Sequence, residues 1–373
     1  MASARIFLVA GEPSGDRLGA DLVERLARRA SIEPSGVGGP ELARVGLSSL
    51  FPMSDLAVMG WRDVLLRYPL LYRRMRQTVR AIRSENPDIV VFIDAQVFSQ
   101  TVAQTLRKSG YKGTLLLYVA PSVWAWKPER ARVLKPLFDE VMAVLPFEPK
   151  VMKELSGPPT SYVGHAAARD IRARSMQPDR GPLLLLPGSR SGEIGRHLPL
   201  MRATAEAVRG HARVSGLVLL TVASQVDRIK REVRGRPDEV SVVSGADAAR
   251  RAFDEAVAAV AVSGTITLEL ALAGVPMVVT YIGDRGQLAN REKYRVPFVG
   301  LPNIVVGREL VPEVLLRAPE TGRLVANLRR LLDDSGAMEA QEAGFAEIRR
   351  KMREGEPGEA PVDPAERVLA YLR

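Results

Sequence analysis

Two loops in the second half of the chain contain residue types that bind phosphate. Pro187-Gly188-Ser189-Arg190 follows one apolar run, and Ser263-Gly264-Thr265 follows another and precedes a helical pattern. Glycine and serine let backbone N–H groups approach an anion, and arginine offers paired donors to phosphate oxygens. Because helix N-termini also attract anions, these loops predict a phosphate site, near which Glu269 is suited to accept hydrogen bonds from a ribose diol.

Each of these loops also has a purely structural interpretation. The first is compatible with an ordinary strand-to-helix turn whose Arg190 is solvated. In the second, Ser263 or Thr265 is a suitable cap for the following helix. Neither loop ends in the Gly-Lys-Ser/Thr of a Walker motif, so a Walker-type nucleotide site is excluded.

Polar residues also follow two apolar runs in the first half of the chain. Asp94 comes directly after Ile89–Ile93, where a carboxylate could act as a general base on a hydroxyl. Its structural alternative is a cap on the next helix. The segment Gly11-Glu12-Pro13-Ser14-Gly15-Asp16 follows Arg5–Ala10 and also lies at the carboxyl end of a predicted strand. It lacks the G-x-G-x-x-G pattern of a dinucleotide site, and its purely structural interpretation is a tight turn.

The elements that must position these residues are short apolar runs that alternate with helical segments. Such alternation predicts parallel sheets covered by helices on both faces. Two series of about 150 residues each predict two doubly wound α/β domains, with ligands at the carboxyl ends of strands and between the domains. The predicted strands are Arg5–Ala10, Ile89–Ile93, Thr114–Val119, Glu140–Leu145, Leu183–Leu186, Leu217–Val222, Ala256–Val262 and Pro276–Tyr281.

The composition narrows the class of protein. The 373 residues include no cysteine and three histidines, which excludes a disulfide framework and a thiolate metal site and argues against a histidine-rich one. The net charge of +10 suits anionic partners. No run approaches the ~18 apolar residues of a membrane span, and the first apolar run is too short for a signal peptide. We therefore expect a cytoplasmic protein, soluble or peripherally attached.

One basic stretch, Trp61–Arg83, combines seven arginines and a single acid with many apolar residues. This pattern suits an amphipathic helix on an anionic bilayer, with Arg73, Arg74 and Arg76 among its contacts. The alternative is a surface helix whose apolar side is core. Tyr68-Pro69 is expected to kink or interrupt the helix. Elsewhere aromatic residues do not interleave with a basic face, so nucleic acid is not an expected partner.

The chain resembles the bacterial lipid-A-disaccharide synthase family from end to end, and Ser122–Trp126 is the most specific of the matching motifs. These motifs are Val9–Asp16, Gly38–Pro40, Asp55–Gly60, Pro121–Trp126, Leu145–Glu148, Val163–His165, Leu186–Arg190, Ser263–Thr265 with Leu268-Glu269, and Leu301–Asn303.

The resemblance implies a GT-B glycosyltransferase that needs neither a metal nor a cofactor. Its two Rossmann-like domains would span 1–165 and 166–345, with C-terminal helices at 346–373 packing back on the first domain. Family members transfer 2,3-diacylglucosamine from its UDP conjugate to 2,3-diacylglucosamine 1-phosphate with inversion, releasing UDP and a β-1,6-linked disaccharide. The implied partners are a UDP-sugar donor, a lipid-phosphate acceptor and an anionic membrane at the cytoplasmic face of the inner membrane; a homodimer is left open.

The resemblance also implies roles for individual residues, with Asp94 as the catalytic base and no metal ligand. The residues implied to bind the UDP-sugar are Gly188, Ser189, Arg190, Ser263, Gly264, Thr265 and Glu269. The residues implied on the acceptor or sugar side are Glu12, Ser14, Gly15, Asp16, Met59, Ser122 and Trp124.

Three departures from the family pattern concern the acceptor and the membrane. The family usually continues Pro-Asp-Phe-Asn where this chain has Gln96–Ser99, and Leu-Gln where it has Leu315-Leu316. Gly283–Lys293 is polar where the family often has an apolar helix. A divergent homologue with another UDP-sugar or acceptor, and a non-catalytic nucleotide-sugar-binding protein, therefore stay open, although Asp94 argues against the latter. A UDP-sugar 2-epimerase would need more acids and histidines around the sugar.

Overall fold

The computed structural model describes residues 3–56, 60–233, 240–283 and 295–372, and for residues 60–66 it describes the backbone alone. The chain divides into two compact units, residues 1–165 with 354–373 and residues 166–353. The boundary expected at 345/346 falls inside a single helix, Ser335–Glu354, which belongs to the second unit up to Arg353.

Each unit is built on a six-stranded parallel sheet. The strand order is β2-β1-β3-β4-β5-β6 in the first sheet and β12-β11-β10-β7-β8-β9 in the second. The strands are β1 (Ala4–Ala10), β2 (Ile32–Val37), β3 (Ile89–Ile93), β4 (Thr114–Tyr118), β5 (Glu140–Ala143), β6 (Thr160–Tyr162), β7 (Gly181–Leu186), β8 (Val214–Leu220), β9 (Val240–Val243), β10 (Ala258–Val262), β11 (Met277–Ile282) and β12 (Glu313–Leu316).

The central strands are continuous apolar runs because helices cover both faces of each sheet. The side chains of Ile6–Ala10 and Ile89–Ile93 have no exposed area in the first unit, and those of Leu183–Leu185 and Ala258–Ala261 have none in the second. This burial fixes the register of neighbouring strands, for example Ile6 beside Ile89 and Leu186 beside Ala261.

Most helices of the described residues connect successive strands, and the last three follow the final strand. The helices are α1 (Pro13–Ala27), α2 (Pro40–Arg44), α3 (Gly60–Glu85), α4 (Gln96–Lys108), α5 (Arg130–Leu134), α6 (Glu148–Glu154), α7 (Ala166–Asp170), α8 (Ser191–Val208), α9 (Val226–Glu232), α10 (Ala246–Glu255), α11 (Thr265–Ala273), α12 (Leu301–Val306), α13 (Gly322–Asp333), α14 (Ser335–Glu354) and α15 (Pro364–Leu369), with short 3₁₀ helices at Met53–Asp55 and Ala223–Gln225.

Helix α3 runs through Pro69, so the interruption expected as one of two outcomes at Tyr68-Pro69 does not occur. Proline in a helix interior costs roughly 3 kcal/mol, and the packing of the C-terminal half offsets that cost. Met75, Val79 and Ile82 are buried in the core of the first unit. Within the described residues, no helix is both long enough and apolar enough to cross a bilayer.

Each sheet has a point at which the chain reverses its direction of strand addition. In the first unit the chain proceeds from β1 to β2 and then returns to place β3 on the other side of β1. In the second unit it proceeds from β7 to β8 and β9, and then places β10 on the other side of β7. At such a switch point the flanking loops diverge and leave a crevice at the carboxyl edge, where ligands of doubly wound folds bind.

The last helix, α15, packs on the first unit through charged groups. The Arg367 guanidinium donates to both carboxylate oxygens of Glu140, a fully buried residue of β5, at 2.8 and 2.5 Å. Asp363 accepts from Arg25 of α1 at 3.0 Å and caps α15 by accepting from the backbone of Ala365. The end of the chain is therefore tied to both β5 and α1.

Candidate active site

The loop after β7 forms an exposed turn at the switch point of the second unit. Gly188 has a left-handed backbone with φ of +102°, and a Cβ there would lie 2.9 Å from the Glu193 Cβ, so a larger residue would be strained. Arg190 is the N-cap residue of α8, and its guanidinium lies 3.3 Å from Glu193 and is 59% exposed. Because Ser189 and Arg190 are both exposed, they are available to a phosphate in front of the α8 N-terminus.

The loop after β10 adjoins the first, since β10 and β7 are neighbours with Ala261 beside Leu186. Gly264, and neither Ser263 nor Thr265, is the N-cap of α11, and no side chain caps that helix. The Ser263 hydroxyl instead donates to the Val299 carbonyl at 2.6 Å. Capping by Ser263 or Thr265 therefore does not explain this loop. Gly264 and Thr265 are exposed, and Glu269 is half-buried in the second turn of α11.

Gln225 and Arg228, which were not predicted from the sequence, support the Arg190 loop. The Ser191 hydroxyl accepts from the Gln225 amide at 3.2 Å, and its carbonyl accepts from Arg228 at 2.9 Å. Both partners lie after β8, so the segment that follows β8 holds the loop that follows β7 in place. A long-range contact of this kind leaves no local pattern in the sequence.

His197 joins α8 to the end of β11. Its Nε2 accepts from the backbone N–H of Ile282 at 2.8 Å, so Nδ1 carries the proton and donates to the Glu193 carbonyl, also at 2.8 Å. The side chain is fully buried, and this burial lowers its pKa. A neutral His197 therefore connects the helix that begins at the Arg190 loop with the strand next to Ser263.

A buried polar network fixes the segment against which Ser263 is bonded. The Glu313 carboxylate, in β12, accepts from the backbone N–H groups of Val299 and Gly300 at 2.8 and 2.9 Å. The Asn303 amide donates to Glu313 and accepts from Leu310 and Val311, and Asn303 is fully buried. The Leu301–Asn303 motif of the sequence thus holds a loop in place next to Ser263.

Asp94 ends β3 at the switch point of the first unit. Its φ is +54°, and that of Ala95, the N-cap residue of α4, is +46°. Gly11, which follows β1, closely approaches this turn, since a Cβ on Gly11 would lie 2.6 Å from the Ala95 Cβ. The Asp94 side chain is half-buried, and the prediction that Asp94 follows a strand at the carboxyl edge is confirmed.

Most of the segment Gly11–Asp16 after β1 is helical and does not form the tight turn that was its structural alternative. Helix α1 begins at Pro13, a favoured first residue, so Ser14, Gly15 and Asp16 belong to its first turn. Asp16 is buried and accepts from the backbone of Gly39, Glu41 and Leu42 at 2.8–3.1 Å, which caps α2. Of the four predicted site residues in this segment, Glu12 and Ser14 are exposed, and Gly15 and Asp16 are buried.

The Ser122–Trp126 motif follows β4 and is tied to the segment after β5. Trp124 donates its indole N–H to Glu148 at 3.1 Å, and the other Glu148 oxygen accepts from the Leu145 backbone at 3.0 Å. Glu148 is buried, which raises its pKa to about 7. Ser122 is exposed beside half-buried Trp124. The buried Glu148, named in the sequence only as part of a motif, is the residue that holds this loop.

Two predicted features lie outside the described residues: Met59, and nearly all of the polar stretch Gly283–Lys293. Leu316, one of the departures, is a core residue of β12. In the parts of the chain that the structure describes, no three histidine, aspartate or glutamate side chains lie together in a way that could hold a metal ion.

Comparison with known proteins identifies the family. The model of the lipid-A-disaccharide synthetase family matches residues 6–359. A lipid-A-disaccharide synthase from Nitrobacter hamburgensis is 39% identical over 375 residues, covering 97% of this chain and 95% of the relative. One from Rhodospirillum centenum is 40% identical over 364 residues, covering 94% and 90%.

Solved structures of more distant proteins share the fold. Staphylococcus aureus MnaA in complex with UDP has a TM-score of 0.63 at 13% identity and covers 100% of this chain and 96% of its own. The calicheamicin glycosyltransferase CalG4 has a TM-score of 0.61 at 17% identity and covers 100% and 99%. Two Rossmann-like units of the GT-B type are thus established by the sheets and by these structures, and over nearly its whole length the chain belongs to the lipid-A-disaccharide synthetase family.

Proposed function

We propose that this chain transfers 2,3-diacylglucosamine from its UDP conjugate to 2,3-diacylglucosamine 1-phosphate, forming the β-1,6-linked disaccharide and UDP. The observation that supports this function best is the family match over residues 6–359. The placement of candidate residues at the switch point of each sheet, where doubly wound folds bind ligands, agrees with it.

The second unit is the proposed donor side. The diphosphate of the UDP-sugar would lie against Gly188, Ser189 and Arg190 at the start of α8. The exposed Gly264-Thr265 segment at the start of α11 would supply further backbone donors, and Glu269 would accept from the ribose. Negative charge grows on the departing UDP, and Arg190 together with the two helix N-termini would stabilise it.

The first unit is the proposed acceptor side, with Asp94 as general base. The acceptor hydroxyl oxygen forms the new bond to the anomeric carbon while its proton passes to the Asp94 carboxylate. The bond from the anomeric carbon to the UDP oxygen breaks, and UDP leaves with the electron pair. Attack opposite to the leaving group inverts the anomeric centre and gives the β-linkage.

This role of Asp94 is tested by Asp94→Asn, which removes the basic oxygen but keeps the size of the side chain. We expect turnover to fall roughly 10²–10⁴-fold, with the affinity for UDP unchanged in calorimetry because the nucleotide lies on the second unit. Asp21→Asn, which alters an ion pair with Arg25 within α1, is the matched control. An Asp94→Asn enzyme that keeps most of its turnover would remove Asp94 from the mechanism.

The proposed acceptor is a lipid, so we also propose that α3 attaches the protein to an anionic membrane surface. Tyr68 and Tyr72 are 62% and 48% exposed, and their rings stack with centroids 6.4 Å apart. Arg73 and Arg76 are exposed beside them. Arg74, in contrast, pairs with Asp55 at 2.7 Å, so we assign it to the fold and not to the membrane.

A further inference from the structure

The turns after β3 and β4 both hold non-glycine residues in the left-handed backbone region. Asp94 and Ala95 have φ of +54° and +46°, and Val119 has φ of +78°. For a β-branched residue such as valine this conformation is a genuine outlier. Strained backbone of this kind persists only where surrounding contacts determine it, and it is concentrated at functional sites.

The first turn of α4 makes those contacts. The Gln96 side chain donates its Nε2–H to the Val119 carbonyl at 2.9 Å. The hydroxyl of fully buried Ser99 donates to the Asp94 carbonyl, also at 2.9 Å. The first turn of α4 therefore donates a hydrogen bond to a carbonyl in each of the two strained segments. The two segments are also bonded to each other, since the Asp94 N–H donates to the Tyr118 carbonyl at 2.9 Å.

The Asp94 turn is also confined from the side of β1. The Ala95 methyl group packs directly against the backbone of Gly11, because a Cβ on Gly11 would lie 2.6 Å from the Ala95 Cβ. The Gln96 side chain is oriented in turn, since its Oε1 is the acceptor for the Gln100 amide at 3.5 Å. The two contacts from α4 thus act on a turn that has little space to relax towards β1.

We propose that Gln96 and Ser99 are positioning residues for the transfer reaction, holding the Asp94 turn and the Val119 turn in the geometry that catalysis needs. The inference rests on the proposed function, in which Asp94 takes the acceptor proton. A general base acts only within hydrogen-bond reach of its proton, and a displacement of about 1 Å can cost on the order of 10²-fold in rate. Gln96, a departure from the family pattern, thereby has a role in this chain's own active site.

The test is a steady-state comparison of Gln96→Glu and Ser99→Ala with the unmodified full-length chain. Gln96→Glu keeps the length of the side chain but replaces the N–H donor by an oxygen that repels the Val119 carbonyl. We expect kcat to fall about 10- to 100-fold, while the KM for the UDP-sugar and the affinity for UDP stay within about twofold. Thr101→Val is the matched control, because Thr101 donates to the Val97 carbonyl of the same helix at 2.7 Å and is exposed.

A second arm uses Val119→Gly, since glycine adopts the left-handed conformation without cost. In that background Gln96→Glu should reduce kcat by less than about threefold, because an unstrained turn does not need the same contact. An undiminished effect would contradict the proposed holding role. Thermal unfolding and UDP calorimetry on every variant identify those that are folded. If Gln96→Glu does not fold, Ser99→Ala alone tests the positioning role, through the contact to the Asp94 carbonyl.

Asp94→Asn, measured in the same assay, separates the inference from the function on which it rests. If Asp94→Asn abolishes turnover and both α4 variants keep kcat within twofold, the positioning role is wrong and the base assignment stands. If Asp94→Asn remains active, the base assignment and the positioning role fail together. Loss of kcat in all three variants with unchanged UDP affinity supports both.

Discussion

Arg190 and Glu193 form an exposed ion pair at the mouth of the proposed donor site. Their charged atoms lie 3.3 Å apart, and Glu193 also accepts weakly from the Arg190 backbone at 3.4 Å. Exposed pairs of this kind contribute less than about 1 kcal/mol. A diphosphate carries more negative charge than one carboxylate, so it can compete with Glu193 for the Arg190 guanidinium. Before the diphosphate binds, the pair with Glu193 keeps the Arg190 side chain close to the loop.

Removing this guanidinium should therefore weaken nucleotide binding. We expect Arg190→Ala to lower the affinity for UDP by about 1.5–3 kcal/mol, the usual range for a hydrogen bond to a charged group. Isothermal calorimetry measures this directly, and Arg202→Ala, an exposed arginine of the same helix that donates to the Glu232 carbonyl, is the matched control. Equal affinity in wild type and Arg190→Ala would contradict the assignment.

His197 should make the stability of the second unit sensitive to acid. Its pKa is lowered by burial in the folded chain, whereas the unfolded value is about 6.5. Because the folded state then binds fewer protons, the stabilising contribution is complete above about pH 6.5 and is lost as the pH falls through the lower folded pKa. Arg196 and Glu193 are the charged groups that act on this ring.

The measurement is urea unfolding of wild type and His197→Gln across this pH range. The difference in unfolding free energy between the two should shrink as the pH is lowered from about 7.5 to about 5, since glutamine does not titrate. Taking the difference cancels the titration of all groups that are common to both proteins. Parallel curves over this range would show that His197 does not titrate as the hydrogen bonds require.

At the scale of single elements, α3 has two parts with different surroundings. Its C-terminal half is core, as the structural interpretation of the sequence expected, because Met75, Val79 and Ile82 are buried. Its middle exposes Tyr68 and Tyr72 next to arginines, as the membrane interpretation requires. The structural interpretation therefore holds for the C-terminal turns, and the membrane interpretation stays a prediction for the middle ones.

The exposed part of α3 should bind anionic vesicles in a salt-sensitive way. Each arginine near an anionic surface contributes about 1 kcal/mol before screening, and salt shortens the range of that attraction. We expect co-sedimentation with phosphatidylglycerol vesicles at low salt, and its loss when Arg73, Arg76 and Arg80 are changed to glutamate. Arg202→Glu on α8 is the control substitution. If the wild-type protein does not co-sediment with such vesicles at low salt, the membrane role of α3 is contradicted and a soluble acceptor becomes the better interpretation.

The sequence predicted the inner strands of both sheets and missed the outer ones. Inner strands such as Ile89–Ile93 are apolar throughout because both faces are covered. The missed strands β2, β6, β9 and β12 are the four sheet edges. Edge strands are short or contain polar residues, proline and glycine; β2 includes Pro34 and Gly36, and β6 has only three residues.

Candidate site residues were predictable to the extent that they lie just after an inner strand. Asp94, Gly188 and Ser263 could be found in this way, because the end of an apolar run marks the carboxyl edge of the sheet. Asp16 could not be assigned correctly, since its role depends on the distant backbone of α2. The same limit applies to His197, whose partner Ile282 lies far along the chain.

At the scale of the whole molecule, the two units each contribute one part of the proposed chemistry. The second holds the loops suited to UDP, and the first holds Asp94 and the Trp124 loop. The chain also returns to the first unit at its end, where Arg367 binds the buried Glu140. Without the Arg367 guanidinium the buried Glu140 carboxylate would lose this charged partner, which is unfavourable, so the last helix is an integral part of the first unit.

The transfer reaction itself is the most direct test of this account. The purified protein would be incubated with UDP-2,3-diacylglucosamine and 2,3-diacylglucosamine 1-phosphate, with and without EDTA, and the products would be followed by mass spectrometry and NMR. We predict equimolar UDP and a β-1,6-linked disaccharide, formed at the same rate with and without EDTA. Absence of the disaccharide above a protein-free control, while the protein is folded and binds UDP, would contradict the proposed function.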